Sequence, residues 1–386
     1  MKNSRRVTNA PPYLFVEIER KRDQAILQGR DIINLAIGDP DFPTPDFIIK
    51  RMEQVIKSPK NHQYPDYDGS PEFRRAAAEY IEKKYDVRVD PDTQIVALLG
   101  SKEGIAHTFL ACVNEGDFTL VPDPAYPVYK IATLFAGGVP YPMPLFEKNN
   151  FLPDFGAIPT EVAERAKLMF INYPNNPTGT TADKNFYTKA VEFCKQYNIV
   201  LCNDNAYCEF MFSGEESTSI LQVEGGTDIG IEFYTCSKSY NMTGWRIGFA
   251  VGNKETISGL KAVKHNLDSG QFTAIQEAGI EALENGDWFS KEMRNIYSQR
   301  CEIWTESLKI MGLDFVKPKG AFYVWTKVPE GYDSMRFADM ILEKADVLVA
   351  PGVGFGKHGE GYFRISLTIN GNRLEEAMER MKKIIK

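Results

Sequence analysis

Lys238 stands in the run Thr235-Cys-Ser-Lys-Ser-Tyr-Asn-Met-Thr-Gly-Trp-Arg246. The apolar residues before it read as a strand, and a Gly-bearing turn and an arginine follow. A lysine amine at a strand end can attack an aldehyde once it is deprotonated. Arg246, beside Thr235 and Ser237, carries a planar fork of donors that suits a phosphate. Aldehyde chemistry next to a phosphate site points to pyridoxal phosphate, whose protein partners include an imine-forming lysine and an acid at the pyridine nitrogen. A surface lysine beside a structural arginine is the plainer alternative, so the weight falls on the other residues.

Several of them extend the pattern. Gly100-Ser-Lys-Glu-Gly104 opens a helix straight after a strand. The free N–H groups of a first helical turn can hold a phosphate, with the Ser101 hydroxyl beside them, although a turn alone also explains Gly-Ser. Tyr126 sits in Pro-Asp-Pro-Ala-Tyr-Pro, where it either packs or stacks on a flat ring. In Asn172-Tyr-Pro-Asn-Asn-Pro-Thr-Gly179 two prolines lock a loop and present Asn176 as a fixed donor and acceptor. Asp204 ends an apolar strand, with Tyr207 three positions on. A carboxylate there either caps a helix or meets a cation such as a protonated pyridine nitrogen. Arg364, in Gly-Tyr-Phe-Arg-Ile-Ser-Leu, is an edge charge or a bidentate carboxylate clamp. Gly38, in Asn-Leu-Ala-Ile-Gly-Asp-Pro, is a turn residue or a point of close backbone approach.

The elements that must position these residues follow from local pattern. Short apolar, β-branched runs bounded by Gly, Pro or Asp predict strands at 95–99, 118–121, 168–172, 199–204, 233–237 and 247–251. Helical periodicity predicts helices between them, at 102–113 and 184–197. Such alternation implies an α/β fold with a mainly parallel sheet sandwiched by helices, and a ligand at the carboxyl ends of its strands. A helical stretch at 13–27 precedes this region, and a long one at 273–310 follows it. Residues 320–386 alternate strands (322–325, 347–350, 362–367) with helices and predict a smaller α+β domain. The expected division is 1–45 joining the small domain, 46–290 as the large domain and 291–386 as the small one.

Composition narrows the classes. The chain has 386 residues and a formal charge of -7, with no basic stripe for nucleic acid or anionic lipid. Six cysteines without a CxxC pair read as reduced thiols of a cytoplasmic protein, and four scattered histidines show no zinc spacing. No apolar run reaches transmembrane length, and no signal-type apolar core follows Lys2, Arg5 and Arg6.

Taken in order and spacing, Asn176-Pro-Thr-Gly, Asp204 with Tyr207, Ser237-Lys238 and Gly-Trp-Arg246 resemble the class I/II aminotransferases of PLP fold type I, from about Tyr13 to the C-terminus. The resemblance implies that Lys238 is the Schiff-base lysine and general acid–base and that Asp204 binds the pyridine nitrogen. Asn176 and Tyr207 then hold the ring's phenolic oxygen, and Tyr126 stacks on the ring. Ser101, Lys102, Thr235, Ser237 and Arg246 surround the phosphate, and Tyr64 reaches it from the other subunit of a homodimer. Arg364 takes the substrate α-carboxylate, with Gly38 beside it.

Five longer stretches, including Ile37-Gly-Asp-Pro-Asp-Phe-Pro and Tyr64-Pro-Asp-Tyr-Asp-Gly-Ser-Pro-Glu-Phe-Arg74, are similar to the bacterial and archaeal LL-diaminopimelate aminotransferases. That resemblance places Tyr13, Lys102 and Asn266 at the substrate too. It implies transfer from LL-diaminopimelate to 2-oxoglutarate in lysine biosynthesis. Plant-type members carry a glutamate near the place of Tyr67, so Asp66 and Asp68 beside it are the other candidates for the distal amine. No second arginine and no ring-stacking tryptophan favour an aspartate enzyme. Transamination of alanine or another small amino acid is the alternative, followed by carbon–sulfur elimination. A regulator without turnover would need an added DNA-binding module, and the chain keeps the lysine, the aspartate and both arginines.

Overall fold

A computed structural model describes residues 3–212, 214 and 216–385. Seven strands form the large sheet: β1 Ile95–Leu98, β2 Phe118–Asp123, β3 Val139–Pro144, β4 Ala166–Ile171, β5 Val200–Asp204, β6 Gly230–Thr235 and β7 Gly248–Gly252. Their order is β1-β7-β6-β5-β4-β2-β3, and β7 runs antiparallel to both its neighbours while the other pairs are parallel. The sheet is buried on both faces. In β4, Leu168 and Phe170 enter one core cluster while Met169 and Ile171 enter the other. That is the two-sided burial expected from near-continuous apolar strands.

Two departures from the sequence-based expectation have physical causes. β3 carries Pro140, Pro142 and Pro144, and its period-2 pattern is hidden by them. It sits at the sheet edge, where Val139 and Leu145 donate inward to Asp117 and Asp123 at 2.8 Å each and the prolines' missing N–H groups cost no ladder bond. The strand before Lys238 ends at Thr235, not at 237. There the Thr235 Oγ1 accepts from Ser237 N at 3.1 Å and caps a short helix, Cys236–Ser239, which carries Lys238.

The smaller sheet has Tyr362–Ser366 between Ala350–Pro351 and Tyr323–Lys327, with Phe315–Val316 outside. Ile33–Asn34 pairs in parallel with Val347–Leu348. Ion pairs reinforce that link: Arg30 to Asp346 at 2.7 Å, Lys21 to Asp339 at 2.5 Å, and Asp41 to Arg300 at 2.8 Å. Helix Asp287–Ile310 runs across the expected boundary at 290.

Candidate active site

Parallel strands leave their carboxyl ends on one side, so β2, β4, β5 and β6 deliver Tyr126, Asn172, Asp204 and Thr235 to one cavity of about 370 Å³. The small domain and the N-terminal segment close it with Arg364, Tyr323, Gly38 and Tyr13. Of the residues singled out from sequence, Tyr13, Gly38, Ser101, Lys102, Tyr126, Asn176, Asp204, Tyr207, Thr235, Ser237, Lys238, Arg246 and Arg364 all line it. Tyr64 does not line it and is 87% exposed. Asn266 does not line it either: the residue is exposed on helix Lys254–Leu267, and its Nδ2 donates to its own helix at Ala262 O, 2.8 Å away.

Lys238 Nζ donates to Gly38 O at 2.7 Å. Burial, helped by Arg364 and Arg246, lowers its pKa to about 8 against the opposing pull of Asp39. An amine so depressed is neutral in a useful fraction of molecules near neutral pH. Gly38 is a close-approach residue, for a Cβ there would lie 2.0 Å from the Tyr323 hydroxyl.

Asp204 is buried, and Tyr129, one turn beyond Tyr126, donates to its Oδ2 at 2.7 Å. Its Oδ1 has no partner among the described residues. Burial raises its pKa to about 6. The residues after Asp204 form turns, so no helix is capped there. A buried, half-partnered carboxylate on a cavity wall is costly unless something bound supplies a donor or a cation.

Arg364 lies in an interior strand and is 3% exposed, which removes the edge-charge reading. It donates to Asn176 Oδ1 at 2.7 Å and to Ala36 O, and its Nε has no partner among the described residues. The Tyr323 ring, 4.2 Å away, packs on its guanidinium. Tyr207 and Tyr323 share a hydrogen bond of 3.0 Å between their hydroxyls.

The opposite end of the cavity is built for an anion. Helix Ser101–Cys112 starts there, after Gly100 at φ 82°. Arg246 donates to Ser237 Oγ at 3.3 Å and to Leu99 O at 3.3 Å, and a Cβ on Gly100 would strike it at 2.2 Å. Beneath, Glu103 Oε2 accepts from Leu99 N at 3.1 Å. Lys264 Nζ lies 3.0 Å from both Glu103 Oε1 and Asp268 Oδ2, so this acidic group with His107 already holds its cation.

Sequence reasoning missed Tyr129, Tyr323, Phe15, Glu19 and Asp39. Tyr129 had a readable signal, one helical turn after Tyr126. The others reach the cavity only through tertiary packing.

A family model described as "Aminotransferase class I and II" matches residues 30–381. The chain belongs to the class I and II aminotransferases. It is similar to an LL-diaminopimelate aminotransferase of Aquifex aeolicus, 51% identical over 381 residues, which are 99% of this chain and 98% of the relative. One of the same description from Moorella thermoacetica is 50% identical, covering 100% of this chain and 99% of its own. Among solved structures, substrate-bound BacF from Bacillus subtilis has a TM-score of 0.97 and 36% identity, over 100% of this chain and 98% of that one. An aspartate aminotransferase from Thermotoga maritima has a TM-score of 0.91 and 31% identity, over 99% of each chain. This aminotransferase is a pyridoxal-phosphate-dependent transferase of PLP fold type I. Its cavity fits that cofactor. The orphaned Asp204 Oδ1, the depressed Lys238 amine and the donor-lined end at Ser101 and Arg246 match a ring nitrogen, an aldehyde and a phosphate.

Proposed function

We propose that this aminotransferase moves the amino group of LL-diaminopimelate to 2-oxoglutarate, a step of lysine biosynthesis. The observation that carries the reading is the full-length likeness, near 50% identity, to relatives of that description. The alanine-type alternative finds no such relative among them.

Pyridoxal phosphate, when bound, supplies an aldehyde and an electron-accepting ring. Lys238 Nζ would carry the cofactor and, once displaced by the donor, take the proton from the donor's α-carbon. Asp204 would hold the ring nitrogen in its protonated form, and Asn176 with Tyr207 would hold the phenolic oxygen. Tyr126 would stack on the ring. Ser101, Lys102 through its backbone, Thr235, Ser237 and Arg246 would hold the phosphate. Arg364 would take the α-carboxylate beside Gly38, and Lys102 with Tyr13 would meet the distal end. The donor would leave as its keto product, its amino group retained by the enzyme, before the keto-acid acceptor enters, so ping-pong kinetics are expected.

The reading includes a homodimer in which Tyr64 reaches the partner's phosphate. It also includes a cytoplasmic location, supported by six free cysteines, and one unit made of residues 1–45 with 291–386 against a large domain of 46–290. The strand pair Ile33–Asn34 with Val347–Leu348 supports that unit.

A donor panel with 2-oxoglutarate, read as glutamate formed, tests the substrate. LL-diaminopimelate should exceed alanine and aspartate by orders of magnitude, because polar groups left unpaired reject analogues strongly. Faster turnover of alanine would remove the specific substrate.

A further inference from the structure

Tyr126 and Arg364 reach the cavity from separate sheets. Tyr126 follows β2, and Arg364 belongs to the smaller sheet, where it pairs in register with Ala350. The chain between those two paired strands folds into two short turns, Gly352–Phe355 and Lys357–Gly359. Phe355 is buried, and its ring centre lies 4.7 Å from the Arg364 guanidinium. The turns therefore form part of the wall behind the arginine.

Asp123 grips these turns from the large sheet. It ends β2, three residues before Tyr126. Its Oδ1 accepts from His358 N at 3.0 Å, and its Oδ2 lies 3.1 Å from His358 Nδ1. Ala125 N donates to Phe355 O at 2.8 Å. The two loops approach so closely that a Cβ on Gly356 would strike the Asp123 carboxylate. Phe146 meets the His358 ring edge-on, with 5.5 Å between ring centres. An exposed ion pair contributes little, but the Asp123 side chain is only 14% exposed and holds a backbone N–H from 235 residues away. Neither Asp123 nor His358 lines the cavity, so any effect on the reaction passes through Tyr126 and Phe355.

We propose that Asp123 is a positioning residue: by holding the turns at Phe355 and His358 against the Tyr126 loop, it sets the spacing between the ring-stacking tyrosine and the carboxylate-binding arginine. The inference rests on the roles given above to Tyr126 and Arg364, and not on which amino acid is the donor. Without the grip, the correct spacing is one of several arrangements, and substrate must select it. The apparent affinity then falls by the fraction of molecules that are competent, whereas the bound complex keeps its geometry. KM should carry the effect more than kcat.

The test uses the holoenzyme and measures KM for LL-diaminopimelate and for 2-oxoglutarate. Both carry the carboxylate assigned to Arg364, and 2-oxoglutarate serves even if another amino acid is the donor. Asp123→Ala should raise both KM values about tenfold, the size of a charge-assisted hydrogen bond, with kcat changing less. Titration with pyridoxal phosphate, followed by near-visible absorbance, should keep its wild-type midpoint. Asp123→Asn still offers an acceptor to His358 N and should recover most of the loss. Gly356→Ala pushes the same contact apart from the other side and should also raise both KM values, which tests the idea even where Asp123→Ala does not fold. Arg364→Lys is the control. If it raises both KM values and neither Asp123→Ala nor Gly356→Ala does, this inference alone is overturned. If it leaves both unchanged, the assignment of Arg364 and this inference fall together. Loss of cofactor affinity equal to the rise in KM would overturn the positioning role and leave Asp123 a structural residue.

Discussion

Three side chains show how burial sets chemistry at the residue scale. The Lys238 amine is pushed down to about 8 by loss of solvent, so its neutral form grows as pH rises through that value. Cofactor-free enzyme should therefore take up pyridoxal phosphate faster as pH climbs from 7 to 9, followed by near-visible absorbance. Borohydride should then fix the label on the peptide holding Lys238. Label on another lysine would reject the assignment. Asp204 moves the other way, to about 6, because burial disfavours its charge. A raised carboxyl pKa means the folded state binds the proton more tightly than the unfolded chain. Its contribution is present below the ordinary pKa near 4 and is lost as pH rises through 6. Cofactor-free Asp204→Asn should thus be more stable than wild type at pH 8, by on the order of 1–3 kcal/mol, with the gap closing near pH 4 in thermal melts. The same variant should lose turnover, which makes Asp204 a case of stability given up for function. Arg364 is buried with one nitrogen unpartnered among the described residues. Arg364→Lys cannot copy a two-point carboxylate contact and should weaken substrate use by on the order of 2–3 kcal/mol while absorbance shows the cofactor still bound. Equal loss of both would mark the residue as structural.

At the scale of elements, the site depends on junctions more than on the strands themselves. Thr235 stops β6 and turns the chain so that Lys238 projects from a short helix, and Gly100 lets Arg246 close over the next strand–helix junction. Gly38 belongs to the same class, because it lets the N-terminal segment touch Tyr323 and accept from Lys238. A methyl group there must displace Tyr323, which also holds Tyr207 and covers Arg364. Gly38→Ala should cost about 1–3 kcal/mol in denaturant unfolding, as overpacking does, and should raise KM for the donor more than it weakens cofactor binding. Unchanged stability and KM would mean that Tyr323 has room to move.

At the scale of the whole molecule, the cavity is assembled from three stretches of chain that lie far apart in sequence. The N-terminal segment is tied to the C-terminal part of the chain by a strand pair and several ion pairs. Tyr64 is an aromatic left 87% exposed by this one chain. If it serves a partner's phosphate, sedimentation should give a dimer at assay concentrations. Mixing Tyr64→Phe with Lys238→Ala chains should then restore activity, because one hybrid site keeps both native residues. A fully active monomer would contradict the shared site.

Sequence by itself determined the fold class, the cofactor chemistry and most of the cavity wall. Alternating strand and helix periods dictate a helix-covered sheet, and reactive residue types at strand ends dictate where its chemistry lies. Lys238, Asp204, Asn176 and Arg246 were legible because a buried charge or a locked polar loop has few purely structural uses. The order of the sheet, with β7 antiparallel between β1 and β6, was not legible, because pairing is decided by contacts between distant segments. Nor was the proline-rich edge strand, whose pattern makes sense only once one side is known to lack a neighbour. Tyr323 sits in an ordinary strand pattern and acquires a role only when the small domain folds over the cavity. Asn266, placed at the substrate by the resemblance alone, is exposed and lies outside the cavity of its own chain. Local periodicity is written in neighbouring residues, whereas the company a side chain keeps is settled by the free energy of packing remote parts of the chain together.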